Sequence, residues 1–261
     1  MRIALGLEYA GQAFTGWQSQ LDGRGAQDTL ERALAAIAGT STRTIAAGRT
    51  DAGVHATMQV VHFDIAVERP DTAWVRGVNS HLAQDIAVLW AHPVAEDFHA
   101  RFAATARHYT YLLLNREVRP ALLAGRAGWY HRPLDVAAMR EAARVLAGTH
   151  DFSAFRAAEC QAKSPVKTLS TIEVAASGDF VRFDFSANAF LHHMIRNIVG
   201  ALVYVGAGKE PVQWIAEILV ARDRTYAAPT FAPDGLYMTG VDYDAKWGLP
   251  PTQRPVSLPI A

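Results

Sequence analysis

The sequence predicts an α+β protein in which helices pack on one face of β-sheets. Half of the 261 residues are apolar and 19% are charged, which is typical of a compact chain with a sizeable core. Segments with strand-like alternation and segments with apolar residues at helical spacing follow each other along the chain. Predicted strands come in pairs that are close in sequence, and tandem repeats and heptads are absent from the sequence.

The first half of the chain shows strand patterns around two helical ones. The predicted strands are Arg2–Tyr9, Thr44–Ala47, Met58–Asp64, Ile86–Ala91 and Ala106–Asn115. The first predicted helix is Gln27–Ala38, where apolar side chains recur every three or four residues. The second is predicted to run from Pro70 to about Leu82, because proline is favoured in the first turn of a helix.

The second half repeats the same mixture of elements. The predicted strands are Thr168–Ala175, Val181–Ser186 and Leu236–Tyr243, and the predicted helices are Asp135–Gly148, Phe190 to about Val205, and Pro211 to about Ala221. Asp135 is expected to cap its helix at the start and Gly148 at the end. We therefore predict two α/β domains, 1–115 with the Asp51 loop and 116–245, followed by an extended proline-rich tail, 246–261, without a fold of its own.

Several classes of protein are excluded by composition. A single cysteine, Cys160, allows neither an internal disulfide nor a multi-cysteine zinc site, and suggests a reducing compartment. The first residues lack the pattern of a signal peptide. The longest apolar stretch, Ile198–Ala207, is about half of what a bilayer span needs. We expect a cytoplasmic protein without a membrane segment.

The charge is balanced overall and uneven along the chain. There are 25 basic and 25 acidic residues, but residues 101–167 contain 11 basic and 5 acidic ones, a balance of +6. Such a segment could bind a phosphate backbone, and 21 of the basic residues are arginine, which forks onto phosphate. Ordinary variation of charge along a chain, with a general use of arginine in place of lysine, explains these counts equally well. Charge alone therefore does not decide the function.

The stretch most informative about chemistry lies between two predicted strands, around Asp51. It reads AAGRTDAGVHA over residues 46–56, a polar turn flanked by glycines. Arg49, two residues before Asp51, would favour the ionised carboxylate, which can serve as a nucleophile or a base. From spacing alone, a turn in which Asp51 only caps its own loop is the favoured interpretation.

The sequence of this loop closely resembles the catalytic loop of the tRNA pseudouridine synthase A family. Further blocks resemble that family in the same order along the chain: LEYAG at 7–11, FTGWQ at 14–18, FHARFAA at 98–104, ARHYTY at 106–111, FLHHMIRNIVG at 190–200, AP at 228–229 and GLYM at 235–238. Together these blocks span nearly the whole chain. The resemblance implies two similar α/β domains, with antiparallel sheets flanked by helices and an active-site cleft between them.

The resemblance also implies a reaction and a set of site residues. The expected activity is isomerisation of uridine to pseudouridine at positions 38, 39 and 40 of the tRNA anticodon stem-loop. Asp51 matches the catalytic aspartate, and whether it attacks C1′ or C6, or removes a C2′ proton, stays open. Arg196 matches an arginine that pairs with it, and Tyr109 an aromatic contact to the uracil. Arg49 matches a residue that enters the RNA stem, and Leu236 an apolar residue beside the base.

The implied reaction has no redox change and takes in no external group, so no cofactor is expected. The implied partners are tRNA and a second copy of the chain in a homodimer, with no protein partner beyond it and no membrane. We expect the basic middle segments of two copies to line one RNA-binding surface that includes Arg101, Arg107 and Arg126.

Other candidate groups receive less weight. In the predicted helix from Phe190, His192 lies one turn before Arg196, so both should project from the same face. Neighbouring helical positions such as His192 and His193 point about 100° apart and should not share one metal ion, so no metal site is expected. Cys160 is interpreted as a bystander.

Three alternatives to this function are open. The chain could carry out the same chemistry on a broader or different set of RNAs. It could be an RNA-binding or tRNA-folding module, although Asp51, Tyr109 and Arg196 are all present. A hydrolase using Asp51 with His55 is the third, and the sequence offers it no second carboxylate in that loop.

Overall fold

The computed structural model describes residues 1–257 and confirms the α+β class. Within these residues the strands are β1 Arg2–Tyr9, β2 Ile45–Ala46, β3 His55–Asp64, β4 Ile86–Val94, β5 Ala104–Asn115, β6 Gly128–Tyr130, β7 Gly148–Asp151, β8 Val166–Ser177, β9 Phe180–Ala187 and β10 Leu236–Tyr243. The helices are α1 Ala26–Ala38, α2 Val78–His81, α3 Val136–Ala143, α4 Met194–Gly206 and α5 Trp214–Ala221. None of the helices in this part of the chain is long and apolar enough to cross a bilayer.

The chain packs as two compact units. The first comprises Met1–Arg107 together with the chain from Tyr237, and the second comprises His108–Leu236. These limits differ from those of the predicted domains, 1–115 and 116–245, because β5 begins in the first unit and continues in the second, and β10 returns to the first.

In the first unit, β1 lies between β4 and β3 and pairs with both in antiparallel fashion. Most of β1 is buried, from Ile3 to Leu7, because it has a strand on either side and side chains packed on both faces. On the other side of β3, β10 pairs in parallel, with Tyr237 opposite His55. The strands of this unit are therefore mixed, whereas the resemblance implied antiparallel sheets.

In the second unit, β8 is paired with β7 and β9 in antiparallel fashion, and β6 runs parallel to β5. Helix α4 is buried along most of its length and packs against α3 and α5. The predicted cap of α3 is confirmed, since the Asp135 carboxylate accepts the Ala138 N–H at 2.9 Å. The helix ends at Ala143 and continues as a 3-10 turn to Leu146, so Gly148 is not its cap and instead begins β7.

Two further helix predictions need correction. The segment predicted as one helix from Pro70 consists of a π-helical turn, Ala73–Gly77, followed by the short α2. The helix predicted from Phe190 begins only at Met194, because His193 takes a left-handed conformation with φ +62° and interrupts the helical backbone before it.

The described part of the predicted tail packs on the first unit and forms local structure. Ala245–Trp247 form a 3-10 turn, and the Trp247 ring meets Phe98 edge-on at 5.3 Å. Gln253 bridges to Gly240 of β10, and Arg254 forms an ion pair with Glu8 at 2.6 Å. Tail residues 258–261 of the prediction, including Pro259, lie outside the described residues.

Candidate active site

Asp51 lies in the turn that joins β2 to β3 in the first unit. The turn is closed by a hydrogen bond from the Val54 N–H to the Asp51 carbonyl at 3.1 Å. Gly53 takes φ +81°, a left-handed conformation that glycine adopts at little cost. The Asp51 side chain is half-buried, so the turn keeps it accessible. The backbone conformation of the turn therefore explains the glycine at position 53.

Thr50, the residue before Asp51, is fixed from two directions. Its hydroxyl forms a buried hydrogen bond of 2.8 Å with the Tyr9 hydroxyl of β1, and its carbonyl accepts the Trp17 N–H at 2.9 Å. Burial raises the pKa of Tyr9 to about 12, partly offset by the bond to Thr50. The Tyr9 hydroxyl therefore stays protonated at neutral pH and available to this bond.

Gly16 allows a second segment to approach the turn closely. Its φ of +108° is one that other residues rarely adopt, and a Cβ there would lie 3.0 Å from the Thr50 carbonyl oxygen. It would also lie 3.3 Å from the Ala52 nitrogen. The FTGWQ block at 14–18 thus contains a glycine because it packs on the backbone of the Asp51 turn.

Two buried side chains hold the start of the turn. The Gln59 side-chain amide donates to the Gly48 carbonyl at 2.7 Å, and Arg107 donates to the Ala47 carbonyl at 3.1 Å. Arg107 also donates to the carbonyls of Ala104 and Arg101, at 3.1 and 2.5 Å. The sequence placed Arg107 on an RNA-binding surface, which is wrong. It is only 9% exposed, and its guanidinium satisfies backbone carbonyls inside the first unit.

His55 follows the turn as the first residue of β3 and is buried. Its Nδ1 accepts the Gly11 N–H at 3.0 Å, and its ring stacks on Tyr237 at 4.6 Å. Because one nitrogen and one face of the His55 ring are already in contact with the protein, His55 has a structural role. This disfavours the alternative of a hydrolase that uses Asp51 with His55. Arg49, in contrast, is exposed in the turn, as a residue that enters an RNA stem would need to be.

In the second unit, Tyr109 lies on β5 and is 8% exposed. Its ring meets Phe190 edge-on at 5.0 Å, a favoured arrangement for two aromatic rings. Phe190 lies in the irregular segment before α4. The Tyr109 ring is therefore contacted by a residue outside the helix.

Arg196 lies in the first turn of α4 and holds a neighbouring loop. Its Nε donates to the Phe231 carbonyl at 2.8 Å, and its own carbonyl accepts the Phe231 N–H at 3.2 Å. The next residue, Asn197, is fully buried; its amide donates to Phe155 and its oxygen accepts the Thr230 hydroxyl at 2.7 Å. These bonds connect the start of α4 to the loop that leads to β10.

Leu236 ends that loop as the first residue of β10. Its N–H donates to the Pro233 carbonyl at 2.8 Å, and its side chain is 5% exposed. The preceding Gly235 lies so close to the Leu112 carbonyl that a Cβ would overlap it. The GLYM block therefore fits a close approach of this loop to β5.

His192 and His193 precede α4, so the prediction that His192 shares a helical face with Arg196 is wrong. The two rings lie side by side, with centroids 4.0 Å apart. The argument that His192 and His193 should not share one metal ion assumed helical positions, so it does not hold. Cys160 accepts the His192 N–H at 3.4 Å. Burial acts to raise the pKa of this thiol, but the N–H groups of Ala162 and His192, with Arg156, lower it below its usual value.

The predicted site residues are divided between the two units. Arg49 and Asp51 share one turn of the first unit, and Tyr109, Arg196 and Leu236 belong to the second. The pairing of Asp51 with Arg196 joins the two units and stays a prediction. The sequence did not identify the buried residues that hold the loops, namely Tyr9, Gln59 and Asn197, and it gave Arg107 a different role. Tyr9, Arg107 and Asn197 lie in the LEYAG, ARHYTY and FLHHMIRNIVG blocks, whereas Gln59 lies in none of the blocks.

Comparison with known proteins connects these loops to one family. A family model described as tRNA pseudouridine synthase matches residues 7–103 and 142–244, which include Asp51 and Arg196. The protein named tRNA pseudouridine synthase A from Dechloromonas aromatica is 61% identical over 250 residues, covering 96% of this chain and 95% of the relative. Relatives of the same name from Aromatoleum aromaticum and Methylobacillus flagellatus are 60% and 59% identical, over 99% and 100% of this chain and 98% and 100% of their own. The chain belongs to the tRNA pseudouridine synthase family.

Proposed function

We propose that this protein is an isomerase that converts uridine to pseudouridine in tRNA. The observation that carries the proposal is identity of about 60% along the full length of curated tRNA pseudouridine synthase A proteins, with the Asp51 turn inside the matched region. We further propose positions 38, 39 and 40 of the anticodon stem-loop as targets, a cytoplasmic homodimer as the working form, and a reaction without a cofactor.

The reaction rearranges bonds within one nucleotide. The N1–C1′ glycosidic bond breaks, the uracil rotates and a C5–C1′ bond forms; C5 loses its proton and N1 gains one. Asp51 acts as the nucleophile, on C1′ or on C6, or alternatively as a base at C2′. The half-buried position of its carboxylate suits a group that must meet a nucleotide and still be partly shielded from water.

The remaining site residues take supporting roles in the proposal. Tyr109 contacts the uracil and presents its hydroxyl near C5, from which a proton must leave. Arg196 pairs with Asp51, and Leu236 packs beside the base. Arg49 enters the stem and helps to expose the target nucleotide, as any enzyme working on a base inside a duplex requires. Its exposure in the Asp51 turn supports this role.

Tritium release from tRNA labelled at uridine C5 tests the reaction. We expect release by the wild-type protein and a loss of at least about 1,000-fold in Asp51→Asn. The substitution preserves the size of the side chain, so the variant should stay folded in a urea titration and should retain tRNA binding. Tight tRNA binding without release by the wild type would contradict the proposal and favour an RNA-binding or tRNA-folding module.

The target positions and the dimer are tested separately. tRNA transcripts with a single uridine at position 38, 39 or 40 should each be modified, and a transcript with uridine only elsewhere should not. Sedimentation should give a dimer. If the basic segments form the RNA surface, reversing Arg101 and Arg126 together should weaken binding and lower its salt dependence. Modification outside positions 38–40 would instead support the broader RNA set.

A further inference from the structure

Phe102 is an exposed aromatic residue on a turn that is otherwise firmly held. Its side chain is 76% exposed, although its ring could contribute substantially to a core. The turn joins β4 to β5 within the first unit, and Phe98, four residues earlier, is completely buried. The same turn therefore buries one phenylalanine and presents the other to solvent.

The backbone of the turn is fixed at three residues, Phe98, Ala100 and Arg101. Arg2 donates to the Phe98 carbonyl at 2.8 Å. The Ala100 N–H donates to Nδ1 of His62 at 3.1 Å, and the Ala100 carbonyl accepts the Tyr243 hydroxyl at 2.7 Å. The Arg101 carbonyl accepts from Arg107 at 2.5 Å. Such a turn presents Phe102 in one orientation, so little conformational entropy is lost when a partner binds it.

His99 supports the inner face of the exposed ring. The His99 and Phe102 rings stack with centroids 4.3 Å apart. The backbone N–H groups of Arg101 and Phe102 both donate to Nδ1 of His99 at 3.2 Å, which fixes the imidazole plane. Burial and the nearby Arg2 and Arg101 lower the pKa of His99, although its own backbone bond opposes this, so the ring is uncharged at neutral pH.

We propose that Phe102, backed by His99 and flanked by Arg101, is a stacking platform for an unpaired nucleobase of tRNA. The proposal rests on tRNA as the substrate and adds a binding site outside the residues assigned to the reaction. Every base has a π-face, and rigid exposed aromatic rings bind unpaired bases by stacking on them.

The charge next to the ring favours a nucleic acid over a protein surface. The Arg101 guanidinium lies 5.7 Å from the Phe102 ring centre and is exposed, so it can contact the phosphate of a stacked nucleotide. Two acidic residues, Glu96 and Asp97, occur at the start of the turn, and both act electrostatically on Arg2. An aromatic face with an adjacent arginine matches the two parts of a nucleotide.

Equilibrium binding of a tRNA transcript to Phe102→Ala, Phe102→Leu and Phe102→Trp tests the platform. We expect Kd to rise about tenfold for alanine and for leucine, and to stay within about twofold for tryptophan, because only tryptophan can stack. The slope of log Kd against log salt should be unchanged in all three, whereas Arg101→Ala should reduce it by about one. Val220→Ala, which removes an exposed apolar side chain from α5, is the matched control.

Several outcomes would overturn the proposal. Unchanged Kd in Phe102→Ala would show that no base stacks there, and wild-type affinity in Phe102→Leu would indicate plain apolar contact. Dissociation of a dimer by Phe102→Ala, seen by sedimentation, would assign the ring to a contact between copies. A wild type that binds tRNA but releases no C5 tritium contradicts only the reaction, since Kd still decides the platform. A wild type that binds no tRNA contradicts both.

Discussion

Two loops that carry proposed site residues are stabilised in different ways. In the first unit, the Asp51 turn is held by Tyr9, Gln59 and Arg107, and none of these is proposed to touch the reacting atoms. In the second unit, the loop before β10 is held by Asn197, through Thr230, and also by Arg196, a proposed site residue, through the Phe231 carbonyl. Positioning and proposed chemistry are thus separate in the first loop, whereas in the second they share one side chain, Arg196.

This difference predicts how substitutions affect stability and activity. In the first unit, Asp51→Asn should remove activity with a smaller loss in the free energy of unfolding than changes to the buried supports, which should reduce both. In the second unit, removing the guanidinium of Arg196 should reduce both stability and activity. The predictions below test this division in order of decreasing effect on the free energy of unfolding.

Arg107→Met should produce the largest loss, about 3 kcal/mol in the free energy of unfolding. The substitution keeps the apolar stem but leaves carbonyls at Ala47, Arg101 and Ala104 without a donor in a buried place. Urea unfolding measures the loss. Arg43→Met, at an exposed position before β2, is the control and should change stability by less than about 0.5 kcal/mol.

The kinetics of the same variant sharpen the comparison. Because Arg107 contacts the start of the Asp51 turn at the Ala47 carbonyl and is buried away from RNA, kcat for C5 tritium release should fall while tRNA affinity at low salt stays near that of the wild type. A variant with full kcat and wild-type stability would show that Arg107 does not position the turn. Loss of tRNA affinity alone would restore the RNA-binding role that the sequence predicted for it.

His62 extends the test to the turn that presents Phe102. Burial, with the positive charge of Arg2, lowers the pKa of His62 to about 4. The unfolded chain binds this proton near pH 6.5, so the contribution of His62 to stability is complete above that pH. We expect it to be lost between pH 6.5 and pH 4, lowering the free energy of unfolding by about 2 to 3 kcal/mol.

The control for this pH dependence is His62→Asn, whose amide oxygen can accept the Ala100 N–H without titrating. Urea unfolding measured across this range should show a shallower pH dependence for the variant. Equal slopes for the two proteins would assign the acid sensitivity to other groups.

Arg196→Met should lower the free energy of unfolding by about 2 kcal/mol, because the Phe231 carbonyl loses a charged donor. It should also reduce tritium release by about 100-fold or more. Arg196→Lys should recover part of the stability but little activity, since a single ammonium cannot reproduce the planar fork of arginine. Unchanged stability in Arg196→Met would show that Arg196, like Asp51, does not hold its loop in place.

The sequence was sufficient for most strands and for the position of Asp51. β1 and β10 have the limits predicted, because each is a mainly apolar segment bounded by polar or glycine-containing turns, which leaves little choice of where the strand begins and ends. The glycines around Asp51 predicted a turn, and the structure has one. These features depend on neighbours in sequence.

The features that were missed depend on contacts between distant residues. A basic residue on a strand is normally expected to face solvent. Arg107 on β5 is instead buried and donates to the carbonyl of Ala47, 60 residues away. The apolar spacing of α4 extends back to Phe190, which predicts a helix from that residue. No sequence pattern indicates the left-handed backbone of His193, which delays the start of the helix. The parallel pairing of β3 with β10 likewise joins segments far apart in the chain.

The smallest predicted effect concerns the Tyr9–Thr50 bond. Tyr9→Phe and Thr50→Val should each lower the free energy of unfolding by about 1 kcal/mol, since each removes one partner of this buried hydrogen bond. The double variant should cost less than the sum of the two, with a coupling of about 1 kcal/mol in a double-mutant cycle. Urea unfolding gives the coupling in stability, and C5 tritium release gives the corresponding coupling in kcat. If the bond positions Asp51, both couplings should be present. A coupling in stability without one in kcat would mean that Thr50 is held for folding alone, and that the turn carries Asp51 without needing this support.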